Sequence, residues 1–189
     1  VLPEFREYER TSTVVANAYI KPVMSTYITS LKQQLVEKGA TGPLFIMQSN
    51  GGMMTSGMGI ERPIVTLESG PAAGVAGGEF LSKQLGLDNL ITFDMGGTTT
   101  KSALIEDGEA HQSPEYDIGA PVSQRSRLYR AGGYPLMVRA VDLAEVGAGG
   151  GSIISVDQGG SLRVEPRSAG AEPGPVCYNR GGIEPTITD

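Results

Sequence analysis

Apolar residues at Met24, Ile28, Leu31 and Leu35 recur at steps of four, three and four, the period of one helix face. Thr11, Ser12 and Thr13 precede them as candidate N-caps, and Gly39 supplies a stop. Pro22 removes a hydrogen bond to the Ala18 carbonyl, which predicts either a kink or a helix that restarts with Pro22 in its first turn. PLFIMQ (43–48) is a short apolar run closed by Ser49, Asn50, Gly51 and Gly52. It reads as a buried strand delivering a polar loop, either a ligand site or a plain turn.

ESGPAAGVAGGEFLSKQLG (68–86) carries Ser69 as a candidate cap, Pro71 for the first helical turn and Gly86 as terminator. Each interior glycine costs a helix about 1 kcal/mol relative to alanine, so their number predicts close backbone packing between neighbours. From Asn89 the pattern shifts to period two. NLITFD and KSALIEDG flank a Gly-Gly turn and predict one hairpin, and IISVDQGGSLRV predicts a second. The Gly- and Pro-rich tail 168–182 predicts an irregular loop.

The chain has 189 residues, 39% hydrophobic and 19% charged, enough for one packed domain or two small ones. Its 27 glycines are about twice the usual share, which concentrates them in specific loops. A net charge of −6 argues against a nucleic-acid partner, because that role needs a basic patch to displace counterions. Cys177 has no second cysteine to pair with, and with His111 alone it cannot build a Cys/His zinc cluster. A reducing compartment fits, and carboxylate-bound Mg²⁺ stays open. No apolar run reaches the roughly 18 residues that span a bilayer, so no membrane partner and a cytoplasmic location are expected. Opening without Met on VLPEFREYER, the chain reads as the middle of a longer polypeptide.

The strongest chemical constellation is Asp94-Met95-Gly96-Gly97-Thr98-Thr99-Thr100. Glycines let backbone N–H groups approach phosphate oxygens, Thr98 and Thr99 nearest the turn add hydroxyl donors, and Asp94 can hold Mg²⁺ directly or through water. The same heptapeptide fits an ordinary Gly-Gly hairpin, and the residues alone do not choose. Lys101-Ser102 lacks the preceding glycine and spacing of a P-loop. A second glycine run, Gly147-Ala148-Gly149-Gly150-Gly151-Ser152, is followed by a strand, so it is no dinucleotide fingerprint. It suits either close packing or nucleotide contact. His111 and Cys177 have no partners for nucleophilic catalysis, and the seven Met and seven Tyr read as core filling.

Seven blocks in order, REYERTSTVVANAYIKP, MQSNGG, LESGPAAGV, FDMGGTTTK, VGAGGGSI, RVEPRSAGAEPGPVCY and GGIEPTITD, make the chain resemble the hydantoinase A and 5-oxoprolinase family, which includes acetone and acetophenone carboxylase subunits. The resemblance covers almost the whole chain. It implies an α/β fold of the ribonuclease H-like, actin-like ATPase type, present in part, closing on ATP and Mg²⁺. It implies that residues 1–70 end a first subdomain, that 71–88 connect, with a helix over Pro71 to Leu85, and that 89–189 start a second nucleotide-binding subdomain. By the same resemblance Asp94 is the catalytic and metal-orienting acid, while Gly96, Gly97, Thr98 and Thr99 form a phosphate hairpin. Gly149, Gly150 and Gly151 would then lie near the nucleotide.

The implied activity is ATP-dependent hydrolysis of a cyclic amide, through phosphorylation of its carbonyl, completed with a hydantoinase B-like partner subunit. A ketone carboxylase subunit stays open, because the segment 116–135 does not exclude it, and so does a non-catalytic scaffold. Two departures stand out: Lys101 occupies a position where the family has Asp, and the family's first phosphate hairpin is missing. A chain lacking that hairpin is expected to bind ATP weakly or not at all by itself.

Overall fold

A computed structural model describes residues 2–119 and 133–189. In chain order its elements are α1 (Glu7–Glu37), β1 (Phe45–Met47), β2 (Met53–Thr55), α2 (Ser56–Glu61), a 3₁₀ turn at Pro63–Thr66, and α3 (Ser69–Leu85). There follow β3 (Leu90–Met95), β4 (Thr100–Glu106), β5 (Glu109–Ala110), β6 (Gln112–Ser113), β7 (Tyr116–Ile118), β8 (Tyr134–Leu136) and β9 (Ala140–Val141). The last elements are β10 (Ala144–Val146), β11 (Ser152–Val156), β12 (Leu162–Ser168) and a 3₁₀ turn at Val176–Tyr178. The chain divides into two compact units, one of residues 1–90 with 104–142, the other of 91–103 with 143–189.

In the first unit the predicted helix is one continuous α1, starting before Thr11 and running through Pro22 without a restart. Ala18 and Pro22 are both exposed, so the freed Ala18 carbonyl meets solvent. Thr13 is no cap. It is buried, donating its hydroxyl to the Glu9 carbonyl at 2.7 Å and accepting the Met137 N–H at 2.9 Å. One turn on, buried Asn17 donates to the Glu61 carbonyl and accepts the Ile64 N–H, both at 3.2 Å. These bonds satisfy groups that would otherwise be costly to bury. They hold α1 on α2 and the 3₁₀ turn, beside a core of Ile64, Leu136 and Val138 with Ala16 and Ile20 packed against it.

β1 and β2 pair antiparallel, Ile46 opposite Met54. The loop between them is held internally: Ser49 donates both N–H and hydroxyl to the Val65 carbonyl, and Asn50 accepts the Gly52 N–H. Helix α3 ends on Gly86 at φ 67° as expected, but Glu68, not Ser69, is the N-cap residue, with no side-chain cap bond. Glu68 instead accepts the Tyr116 hydroxyl at 3.1 Å. The expectation about interior glycines also needs correcting, since a Cβ on Gly70, Gly74 or Gly77 would meet nothing within 4 Å. The close approach to α3 comes from outside it, where a Cβ on Gly51 would stand 3.6 Å from the Ala76 Cβ. The short antiparallel pairs β6–β9 and β7–β8 complete this unit.

In the second unit both predicted hairpins form. The sheet order is β10-β4-β3, with Glu145 opposite Lys101 and Val146 opposite Thr100, and β11 pairs with β12. Asp157 closes the β11–β12 turn by accepting the Gly159 and Ser161 N–H groups at 2.9 Å and the Arg163 Nε at 2.8 Å. Tyrosines are mostly not core filling: Tyr8, Tyr19, Tyr27, Tyr134 and Tyr178 are all exposed. A phenol buried without a partner for its hydroxyl would be destabilising, and the surface avoids that. Among the described residues no helix is long and apolar enough to cross a membrane.

Candidate functional site

The β3–β4 hairpin turns through residues 96–99, closed by the Gly96 N–H donating to the Thr99 carbonyl at 3.0 Å. Neither Gly96 nor Gly97 has a positive φ. Protein packing does not demand glycine there either, because a Cβ on Gly96 would make only an ordinary contact at 3.5 Å and one on Gly97 would meet nothing within 4 Å. The turn is therefore open on the side where these two side chains would project.

The second glycine run packs against this turn from behind. Gly150 donates its N–H to the Gly96 carbonyl at 2.9 Å and Gly151 to the Gly97 carbonyl at 2.8 Å, while Gly149 donates to Ser152 Oγ at 3.0 Å. A Cβ on Gly149 would fall 2.7 Å from the Gly96 carbonyl oxygen and from Thr98 backbone atoms, and one on Gly151 would fall 2.9 Å from the Gly97 oxygen. Here the glycines are required by backbone-to-backbone approach. Of the two uses open to this loop, close packing is the one seen, and its three amides are occupied within the protein.

Beside the turn lies a cleft of about 540 Å³, a size suited to a small molecule. Met95, Gly96, Gly97, Thr98, Gly150 and Gly151 line one part of it, Ser168, Gly170 and Ala171 another, and Pro175, Tyr178 and Thr188 the rest. No lining residue is charged. Among the described residues, the N–H groups of Gly97, Thr98 and Thr99 and the hydroxyls of Thr98 and Thr99 donate to no protein acceptor. Donors left open in a turn are the chemistry an anion needs. Thr100 differs: it is buried and donates its hydroxyl to the Ala148 carbonyl at 2.6 Å.

The structure thus brings Gly96, Gly97, Thr98, Gly150 and Gly151 to one cleft, with Gly149 packed behind the turn. Thr99 and Asp94 do not line it. Asp94 is exposed near the end of β3, and its carboxylate has no hydrogen-bond or ion-pair partner among the described residues. No group of three or more His, Cys, Asp or Glu that could hold a metal occurs among the described residues. Mg²⁺ bound with a polyphosphate needs fewer, usually one or two carboxylates with phosphate oxygens and waters. Lys101 lies 3.8 Å from Glu145 on β10, an ion pair between directly opposed strand positions.

Sequence reasoning missed the support supplied from residues 186–189. Thr188 donates its N–H (3.1 Å) and hydroxyl (2.8 Å) to the Gly150 carbonyl. Asp189 accepts the Cys177 N–H at 2.7 Å, the Thr186 N–H at 2.8 Å, the Thr186 hydroxyl at 3.0 Å and the Val176 N–H at 3.2 Å. The Cys177 amide first, with the other donors, holds the Asp189 carboxyl well below the usual carboxylate range. The same carboxylate, bonded to the thiol, pushes Cys177 up, which makes it a poor nucleophile. His111 is exposed and paired with Glu106.

A model of the hydantoinase/oxoprolinase family matches residues 10–189. The chain is 49% identical to an uncharacterised protein of Methanocaldococcus jannaschii, over 99% of this chain and 27% of that protein. It is 43% identical to caprolactamase subunit alpha of Pseudomonas jessenii, over 100% of this chain and 25% of that subunit. The crystal structure of ATP-dependent caprolactamase from that organism matches with a TM-score of 0.70 at 42% identity, over 100% of this chain and 25% of that one. A nucleotide-free acetone carboxylase structure gives a TM-score of 0.71 at 28% identity, over 98% of this chain and 24% of that one. The chain spans about a quarter of the length of these relatives.

Proposed function

Because the chain belongs to the hydantoinase/oxoprolinase family, we propose that it is the nucleotide-binding part of an ATP-dependent cyclic-amide hydrolase that activates its substrate carbonyl by phosphorylation. The observation that carries this reading is the pair Gly96 and Gly97, glycines that neither φ nor protein packing requires, beside three amides without acceptors. A phosphate chain approaching that turn accounts for both the missing side chains and the open donors.

In this reading the Gly97, Thr98 and Thr99 amides and the two hydroxyls bind phosphate oxygens and stabilise the charge that develops on them. Asp94, unpartnered and exposed, orients Mg²⁺ at the hairpin. Gly149, Gly150 and Gly151 hold the turn in shape from behind. Phosphorylation supplies what an amide lacks, an activated carbonyl, and the protein contributes position and charge neutralisation. The α/β architecture is then part of a ribonuclease H-like, actin-like ATPase, with 1–70 ending one subdomain, 71–88 connecting and 89–189 opening the next. The enzyme is cytoplasmic and works with a hydantoinase B-like subunit, a reading supported by the caprolactamase relative being named a subunit.

Calorimetric titration of Mg-ATP into the full-length protein and its Asp94→Ala variant tests this. Binding that the substitution removes supports the reading, and no binding to the unsubstituted protein overturns it. The acetone carboxylase likeness favours a second reading, a ketone carboxylase subunit, and residues 120–132 of the segment that left it open lie outside the described residues. ATP turnover that requires bicarbonate and a ketone would select it over cyclic-amide hydrolysis. The scaffold reading rested on Lys101, which the structure gives a cross-strand partner in Glu145. ATPase activity in the full-length protein removes it.

A further inference from the structure

Two walls of the nucleotide cleft meet at one carboxylate. On one side Asp189 accepts the N–H groups of Val176 and Cys177, the start of the 3₁₀ turn that places Tyr178 on the cleft. On the other it accepts the N–H and hydroxyl of Thr186, whose own hydroxyl oxygen accepts the Thr188 N–H at 3.3 Å. Thr188 in turn donates twice to the Gly150 carbonyl, and the Gly150 and Gly151 amides hold the Gly96 and Gly97 carbonyls. The chain of bonds runs unbroken from Asp189 to the phosphate turn, through residues that are far apart in sequence.

We propose that Asp189 is a positioning residue of the nucleotide cleft, fixing the Tyr178 wall and the Gly96–Thr98 turn at the separation a nucleotide needs. The inference rests on the nucleotide reading given above. Four donors converge on its two side-chain oxygens, and Thr186 beside it is fully buried. An asparagine of the same shape offers one acceptor oxygen and turns an NH₂ group toward N–H donors, so it cannot replace the carboxylate. Loss of these bonds leaves the chain folded around its two hairpins but lets the walls drift apart. Catalytic constellations tolerate such drift poorly.

The test measures Mg-ATP affinity by calorimetry for the full-length protein and for Asp189→Asn, Asp189→Glu and Thr186→Val, well below each thermal midpoint. Asp189→Asn is expected to weaken binding by about tenfold or more. Asp189→Glu, which keeps two acceptor oxygens, recovers part of that loss. Thr186→Val, which removes the hydroxyl that donates to Asp189 and accepts from Thr188, weakens binding severalfold and serves if Asp189→Asn does not fold. A purely architectural residue would lower the midpoint and leave affinity unchanged. Unchanged affinity in folded Asp189→Asn and Thr186→Val overturns the inference alone. Absence of Mg-ATP binding by the unsubstituted protein overturns the nucleotide reading, and this inference with it.

Discussion

Gly149 lies against Thr98 so closely that a Cβ on Gly149 would stand 2.7 Å from the Thr98 nitrogen. A methyl group there cannot be absorbed by side-chain movement, because every near atom belongs to the hairpin backbone. Gly149→Ala is therefore expected to destabilise the protein by about 1–3 kcal/mol, the range for overpacking, and to displace the β3–β4 turn. Gly147→Ala, two residues earlier with nothing within 4 Å, is the control. Chemical denaturation of both variants checks this, and equal stabilities would refute the packing role.

Gly97→Ala separates binding from stability. The methyl group enters open space at a φ alanine tolerates, so the unfolding midpoint stays close to that of the unsubstituted protein. The same methyl occupies the approach assigned to the phosphates, so nucleotide affinity falls. Affinity equal to that of the unsubstituted protein would show that nothing comes close to this turn.

Asp94→Ala removes an exposed carboxylate that holds no other residue. Stability should change by no more than about 0.5 kcal/mol, as for surface sites without special features. Magnesium-dependent ATP turnover in the full-length protein should disappear. Turnover at the original rate would assign the metal-orienting acid elsewhere.

Thr13→Val keeps the shape of a buried residue and deletes its hydroxyl. The half-buried Met137 N–H then loses its acceptor, at a cost of up to about 1–3 kcal/mol, the range for a buried unsatisfied group. Thermal denaturation measures the loss. A Tyr19→Ser substitution on the exposed face of the same helix should leave the midpoint nearly unchanged.

Acid sensitivity follows from Asp189. Its carboxyl is depressed in the folded state by the Cys177, Thr186 and Val176 amides, so its contribution is fully present above the unfolded value of 3.8. The contribution is lost as pH falls below that value toward the folded one. Melting temperatures between pH 5 and pH 2 should drop less steeply for Asp189→Asn than for the unsubstituted protein. Parallel slopes would mean the carboxylate is not bonded as described.

Local pattern carried much of this architecture. The steps through Ile28 gave α1, the Gly86 stop ended α3, and period-two runs gave both hairpins. The helix start was misplaced because Thr13, a good cap by type, spends its hydroxyl on a residue more than a hundred positions away. Thr13 and Asn17 also interrupt the apolar stripe with polar groups whose burial only tertiary partners permit. The pairs β6–β9 and β7–β8 are too short to show a period. At the site, Gly96–Thr99 and Gly149–Gly151 were legible as glycine-rich loops. Their division of labour was not, since open donors and occupied donors look alike in sequence. Thr188 and Asp189 fell inside the family block GGIEPTITD, but nothing in the sequence showed that they brace the glycine loop.

The β3–β4 turn and the segments that brace it are made at different times. Synthesis delivers residues 96–99 first, then 147–151, and Thr188 and Asp189 after both. At roughly 5–20 residues per second, the hairpin waits on the order of ten seconds for Thr188 and Asp189. Until then the Gly150 carbonyl lacks both Thr188 donors, so the loop that holds the turn is itself unbraced there. The β3–β4 turn and the bracing that Thr188 gives its neighbouring loop are therefore made in separate steps of synthesis.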